Sequence, residues 1–397
     1  MYNRILNRIY RYYFRILCLS CYSTKPWLEF ILTLYISLIV VAKMYEIVAY
    51  FISVKIEENI VGFVWIFLLS GYKMAHIVSC LRTLSGRRQE KKIQEIFQDV
   101  DYTFQLHLFY QKSEEEKELL NGVIFRYYWI FETLWILSTV IYATLVGDFM
   151  FVIFIIRYLF AIEGVTAAYL QQLMAVEEIE KRLKLLNKCL AKLCEGPTIN
   201  LKTTSEGNTR CFGIPMTTSD FSDSVPFHHK DFPTSIRTYQ LKRIATMKRI
   251  YAQLSAASRI SSSLYGLGLF ITNILSICDF SEVCYFLIVA ITDKAFALLL
   301  VFRAFYSNLP AVIKFICLCK QCESCSSVTS DILLKLRSSP VKSLLVDDFI
   351  LQIRQNPIKF TAYDFYELNT ETLTQVSVIV FDLMLFLVQM FYLTNEP

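Results

Sequence analysis

Seven stretches of this chain are each apolar over roughly 20 residues, and nothing else in the sequence limits its fold as strongly. A helix of about 20 residues crosses the ~30 Å hydrocarbon core of a bilayer. The stretches occupy 28–53, 60–81, 123–145, 149–174, 261–280, 284–305 and 372–393. With 55% hydrophobic and 19% charged residues over 397 positions, the chain is too apolar for a pair of ordinary soluble domains. A transmembrane barrel would need many alternating ten-residue strands, and the sequence offers none. The expected fold class is all-α, a polytopic membrane protein with seven transmembrane helices.

Lys and Arg orient it. The N-terminal tail holds Arg4, Arg8, Arg11, Arg15 and Lys25, seven more lie between spans 2 and 3, and seven between spans 6 and 7, whereas the opposite loops hold only Lys55. Even without the long 4–5 loop, the positive-inside rule puts the N-terminus in the cytoplasm and, with seven spans, the C-terminus outside. The first 26 residues lack an apolar core and a small-residue cleavage site, so no signal peptide is expected. The net charge of +5 follows from this bias and implies no nucleic-acid partner.

The chain divides into a cytoplasmic tail (1–27), spans 1–6 (28–306), a cytoplasmic anchor segment (307–371) and the last span with a short outer tail (372–397). Within the 4–5 loop (175–260), mixed charges over 176–193 suggest that span 4 runs on as a helix until Gly196-Pro197. Thr234-Ser235 offers a cap for a helix that leads into span 5. Residues 198–233 lack apolar periodicity and are dense in Thr, Ser, Asp, Gly and Pro. Deleting that insertion is expected to leave surface expression largely intact, which surface labelling of the truncated chain measures. In the anchor segment, apolar positions recur at helical spacing in 329–336 and 344–353, Asn356-Pro357 makes a turn, and Asn369 or Thr370 caps the last span.

Enzyme chemistry finds no support: there is no phosphate-binding loop, nucleophile elbow or metal-ligand His pair, and no cofactor is implied. All nine prolines fall outside the seven spans, so helices broken at proline, a common transporter device, are not expected. Ionisable residues inside spans include Lys43, Glu46, Lys73, His76, Glu132, Arg157, Glu163, Asp293 and Lys294. Lys43 and Glu46, three apart, read as a local structural pair. Cys317, Cys319, Cys322 and Cys325 have a spacing that admits zinc or palmitoylation, though no histidine joins them and reduced thiols are the expectation. Cys278 and Cys284 flank the outer 5–6 loop and admit either a disulfide or simple burial. His228-His229 reads as solvated.

Two sets of residues are candidates for function. Trp65, Trp135, Tyr142, Phe154, Phe270, Tyr285 and Phe286 sit in the outer halves of spans, where aromatics either line a pocket for a small organic ligand or form packing and an interfacial belt. In the last span, Gln375, Asp382 and Gln389 stand seven apart, nearly two full helical turns, and so form one stripe with a ~10 Å step. A mid-membrane carboxylate costs at least a few kcal/mol on lipid. The stripe should therefore face protein or water, and in a symmetric assembly each member becomes a ring around a pore, flanked by Phe386 and Met390. The competing reading pairs Asp382 with Lys294.

The stretch Asp348-Phe349-Ile350-Leu351-Gln352, then Pro357-Ile358-Lys359-Phe360-Thr361-Ala362, then Phe365-Tyr366-Glu367-Leu368-Asn369 resembles the signature region of insect gustatory receptors. That family carries a Thr-Tyr, five apolar residues and Gln-Phe in its last helix. Here Gln389 matches, while Asp382, Leu383 and Met390 replace the other three and Asp364 stands where the family has Gly. The resemblance implies a tetrameric, ligand-gated, non-selective cation channel of sensory-neuron plasma membranes, opened by a small-molecule tastant. Its last helices would line the pore, and related subunits would be its partners. A seven-helix receptor that signals through a cytoplasmic partner without conducting is the alternative.

Overall fold

The computed structural model describes residues 12–20, 25–53, 60–108, 149–194, 232–292, 297–339 and 343–395, together with 133–134, 136–138, 141 and 144–145. The helices, in order, are α1 (Pro26–Ser53), α2 (Ile60–Ser85), α3 (Arg87–His107), α4 (Phe149–Cys194), α5 (Phe232–Thr292), α6 (Ala297–Arg337), α7 (Leu344–Gln355) and α8 (Thr370–Asn395). Among the described residues the nearest thing to a strand is one bridge, Thr361 to Glu367. The expected third span and the 198–233 insertion lie mostly outside the described residues, and His228-His229, Glu132, Asp293 and Lys294 lie outside them.

Three helices are far longer than a bilayer needs. At ~1.5 Å per residue, the 46, 61 and 41 residues of α4, α5 and α6 measure about 69, 92 and 62 Å. Their halves beyond the membrane-length stretches pair through apolar residues spaced alternately three and four apart, as in Val176, Ile179, Leu183, Leu186 and Leu190 of α4. That spacing keeps one seam facing the partner helices in coiled-coil fashion. Ile244, Met247, Tyr251 and Leu254 of α5 and Leu318, Cys322, Cys325 and Ile332 of α6 fill the same core. Each fully buried side chain contributes roughly 1.5–3 kcal/mol in water. Within lipid that driving force is absent, so this bundle carries much of the chain's cohesion.

Several boundaries differ from expectation. Helix α5 continues without a break through 281–283, where an outer 5–6 loop was expected, and is helical to Thr292, while α6 starts at Ala297. Cys278 and Cys284 then stand on one helix six residues apart, ~9 Å by rise alone, which is too far for a disulfide, and Cys278 is a free thiol. Pro310 lies within α6, which starts at Ala297. Helix α5 also starts at Phe232, ahead of the expected Thr234-Ser235 cap.

The cysteine cluster belongs to the bundle. Cys319, Cys322 and Cys325 are buried free thiols, and Cys325 Sγ donates to the Val176 carbonyl at 3.7 Å. Burial pushes the Cys322 and Cys325 thiols well up from their ordinary range. The Glu46 ion pair reaches across to Lys73 of α2 at 3.0 Å, while Lys43 is buried with its ammonium 5.1 Å from the Phe160 ring centre. Three residues along one helix were the sequence reading, and packing between helices decided otherwise.

Residues 12–20, expected as part of a cytoplasmic tail, pack into the bundle, with Phe14, Leu17, Cys18 and Leu19 buried. The Tyr13 hydroxyl donates to Glu163 Oε2 at 2.6 Å, His76 Nε2 donates to the Leu17 carbonyl at 2.8 Å, and Gln171 Nε2 donates to the Leu19 carbonyl at 2.6 Å. Glu163 in turn lies 3.6 Å from the fully buried Lys314 of α6, whose ammonium donates to Thr166 Oγ1 at 2.8 Å. A buried charge needs such a neighbourhood, because an isolated one would cost several kcal/mol.

Candidate pore helix and its supports

Helix α8 begins at a side-chain cap: Asn369 Oδ1 accepts from the Thr372 backbone N–H and from its hydroxyl, both at 2.9 Å. In its most apolar window only 6% of residues are buried, against 78% in the window of α4. The half-buried positions Leu373, Val376, Val380, Leu383, Met384, Leu387 and Val388 share one face, and the helix touches only α5 and α6 among its larger contacts. Gln375, Asp382, Gln389 and Phe386 are all exposed and share the opposite face, roughly 140° around the helix from the packed one. Val378, Ile379, Phe381 and Leu385 flank them and are exposed too. The polar stripe thus points away from its own chain. Asp382 has no ion-pair partner among the described residues, and the side chain of Met390 lies outside them.

What anchors α8 is the turn before it. The chain doubles back over 360–368: Leu368 N–H donates to Phe360 O at 2.8 Å and Ala362 N–H to Tyr366 O at 3.0 Å. Phe360, Ala362 and Leu368 sink into the bundle core. The tip, Tyr363 and Asp364, has φ of +54° and +60°, the left-handed region that side chains tolerate poorly. Asp364 is among the residue types that enter it most easily, and it is held there by Thr361, whose hydroxyl donates to Asp364 Oδ1 at 2.9 Å and accepts from its N–H at 3.3 Å. Aspartate is thereby workable where the gustatory signature has glycine.

Helix α5 is the surface to which this turn is bolted. Tyr251 and Ser255 hydroxyls donate to the Asn356 carbonyl at 3.3 and 3.2 Å, and the Thr361 N–H donates to Ser262 Oγ at 3.1 Å. Tyr169 of α4 donates to Asn273 of α5, which donates to the Tyr366 hydroxyl, a polar relay from α4 to the turn. Gly266 lets the backbones touch: a Cβ there would overlap Tyr363 N and stand 3.0 Å from Tyr363 Cα. Arg82 of α2 adds a clamp, donating from Nε to Leu264 O at 2.7 Å with its guanidinium 5.4 Å from the Tyr363 ring centre.

The seven aromatic ligand candidates fare differently. Phe270 stacks on Phe365 with ring centres 4.3 Å apart and lies 6.5 Å from the Tyr366 ring, so its packing belongs to the turn that holds α8. Tyr285 and Phe286 stand on the last turns of α5, past the expected loop. The side chains of Trp65, Trp135, Tyr142, Phe154, Tyr285 and Phe286 fall outside the described residues. A cavity of about 30 Å³ opens between Ser79, Arg82, Glu90, Gln171 and Tyr265. That is room for about two waters. The relay through Asn273 and the close approach at Gly266 carried no sequence signal, because their partners lie about a hundred residues away.

Comparison with known proteins gives the fold a context. The family described as 7tm chemosensory receptor matches residues 7–393. No curated protein matches the sequence. Among solved structures, the insect olfactory receptor OR5 from Machilis hrabei superposes with a TM-score of 0.64 at 12% identity, covering 97% of this chain and 99% of that one. The same receptor in complex with eugenol superposes with a TM-score of 0.61 at 12% identity, covering 98% of each chain. A helical chain with this superposition, matched by that family over nearly its whole length, belongs to the 7tm chemosensory receptor family.

Proposed function

We propose that this receptor is a ligand-gated, non-selective cation channel for a small organic tastant, assembled as a tetramer of this chain or with related subunits in the plasma membrane of a sensory neuron. The observation that carries it is the stripe of Gln375, Asp382 and Gln389 on the α8 face turned away from the protomer. A carboxylate cannot be left on lipid without large cost, and four copies around an axis supply both the missing protein and the water. The Machilis hrabei receptor takes eugenol, a compact aromatic, and a ligand of that size suits a pocket lined by aromatics such as Trp65, Trp135, Tyr142, Phe154, Tyr285 and Phe286.

The test is current. Expressed in an otherwise silent cell, alone or with related subunits, the receptor should pass a ligand-evoked cation current that survives G-protein blockade. Signalling that needs a cytoplasmic partner, with no current in excised patches, would select the non-conducting alternative. The channel reading also requires the N-terminus in the cytoplasm and residue 397 outside. Epitope tags at both ends, stained with and without permeabilisation, should show the C-terminal tag on intact cells; staining there only after permeabilisation reverses the topology.

A further inference from the structure

We infer that the start of α3 is a docking site for an anionic phospholipid headgroup of the adjoining membrane leaflet. This rests on the cytoplasmic placement of that end proposed above. Helix α2 ends at Ser85 and α3 starts at Arg87, with only Gly86 between them, so the first turns of α3 lie where the chain leaves the membrane. Those turns carry Arg87, Arg88, Lys91 and Lys92, all exposed. On a helical projection they centre ~170° from the face that buries Ile93, Val100 and Phe104. The intervening acid does not neutralise them, because Glu90 is turned to the N-terminal segment and accepts from the Ser20 hydroxyl at 3.1 Å.

Charge along α3 is segregated. Its later acids serve the protein: Asp99 takes Arg249 at 3.3 Å and Gln253 of α5, and Asp101 takes Arg182 of α4 through bonds of 2.9 and 2.7 Å. Two of its four early cations are left over. Arg87 pairs with Glu29 at 3.0 Å and Lys91 approaches Glu95 at 3.7 Å on an open surface, while Arg88 and Lys92 have no ion pair among the described residues. The Arg87 to Glu29 pair also brings the start of α1 alongside, with Trp27 59% exposed and Lys25 6.0 Å from its ring centre. Indole rings settle at the level of lipid headgroups. Exposed cations on a helix start that an ion pair ties to a tryptophan-bearing helix start, immediately past a spanning helix, are the chemistry that holds a phosphorylated lipid.

The probe is dioctanoyl phosphatidylinositol 4,5-bisphosphate, titrated onto the purified full-length receptor in detergent and read by thermophoresis. Detergent removes any dependence on topology or conduction, so this result and the failure of the channel reading are separable. The triple variant R88Q/K91Q/K92Q should bind at least about tenfold more weakly, since each cation near such a charge contributes measurably. A control with the same charge loss, K242Q/K320Q/R337Q, alters exposed cations of the cytoplasmic bundle and should bind as the parent does. Unchanged binding in the first variant, or equal weakening in both, overturns the site. Inositol 1,4,5-trisphosphate binding as tightly as the lipid would also overturn it, by showing that a soluble phosphate and not a membrane lipid is the occupant.

Discussion

Replacing Asp382 by lysine is expected to abolish or invert the cation preference of the ligand-evoked current while surface protein stays near its normal level. Four carboxylates at one height of a narrow, partly dehydrated lumen act through an effective dielectric well below that of bulk water, so they concentrate cations and exclude anions. Four ammonium groups at the same height do the reverse. Because Asp382 is exposed on the face away from α5 and α6, the change disturbs no packing within the protomer. The rival account pairs Asp382 with Lys294, and it expects misfolding that Lys294→Asp repairs. Reversal potentials under asymmetric chloride, together with surface labelling, separate the two. Unchanged selectivity in well-expressed Asp382→Lys channels would end the pore-ring assignment. On the same proposal, Gln389, one step further along α8, would form a neutral amide ring at a constriction.

Gly266→Ala should silence the receptor, and Gly268→Ala, two residues on, should not. At 266 the added methyl meets the backbone of Tyr363, which cannot rotate away as a side chain would. Overpacking of that kind costs about 1–3 kcal/mol and shifts backbone, and here the backbone that shifts is the turn that fixes the start of α8. At 268 the nearest atoms are Ser79 Oγ at 3.5 Å and Ala168 Cβ at 3.8 Å, ordinary contact distances. Ligand-evoked current normalised to surface protein reads the difference. Equal activity in the two variants would mean that the α5 to turn contact does not position the pore helix.

Much of the architecture was legible because the signals are local. A 20-residue apolar run must span, the mixed charges after 176 could only extend α4 into water, and Asn369 three residues before Thr372 is a cap by its chemistry. The seven-residue stripe of α8 was likewise visible, since one helix's faces are set by its own 3.6-residue period. The errors came where two readings were locally equal. An apolar run from 261 to 305 contains room for a loop at several points, and only the course of α5 shows that the chain stays helical to Thr292. Charges three apart on α1 could pair with each other, but Glu46 finds Lys73.

The amino-acid sequence by itself determined that the chain is helical, that it crosses a membrane, which end is basic, and that the last helix carries a polar stripe needing an explanation. Each of these follows from residues within one or two dozen positions, where periodicity and transfer free energy act directly. Only the tertiary structure decided that the stripe lies opposite the packed face of α8, that residues 12–20 are part of the core, and that Phe270 braces Phe365. Those facts depend on contacts between residues far apart in the chain. Which of several chemically equivalent partners a side chain meets is set by how whole helices pack.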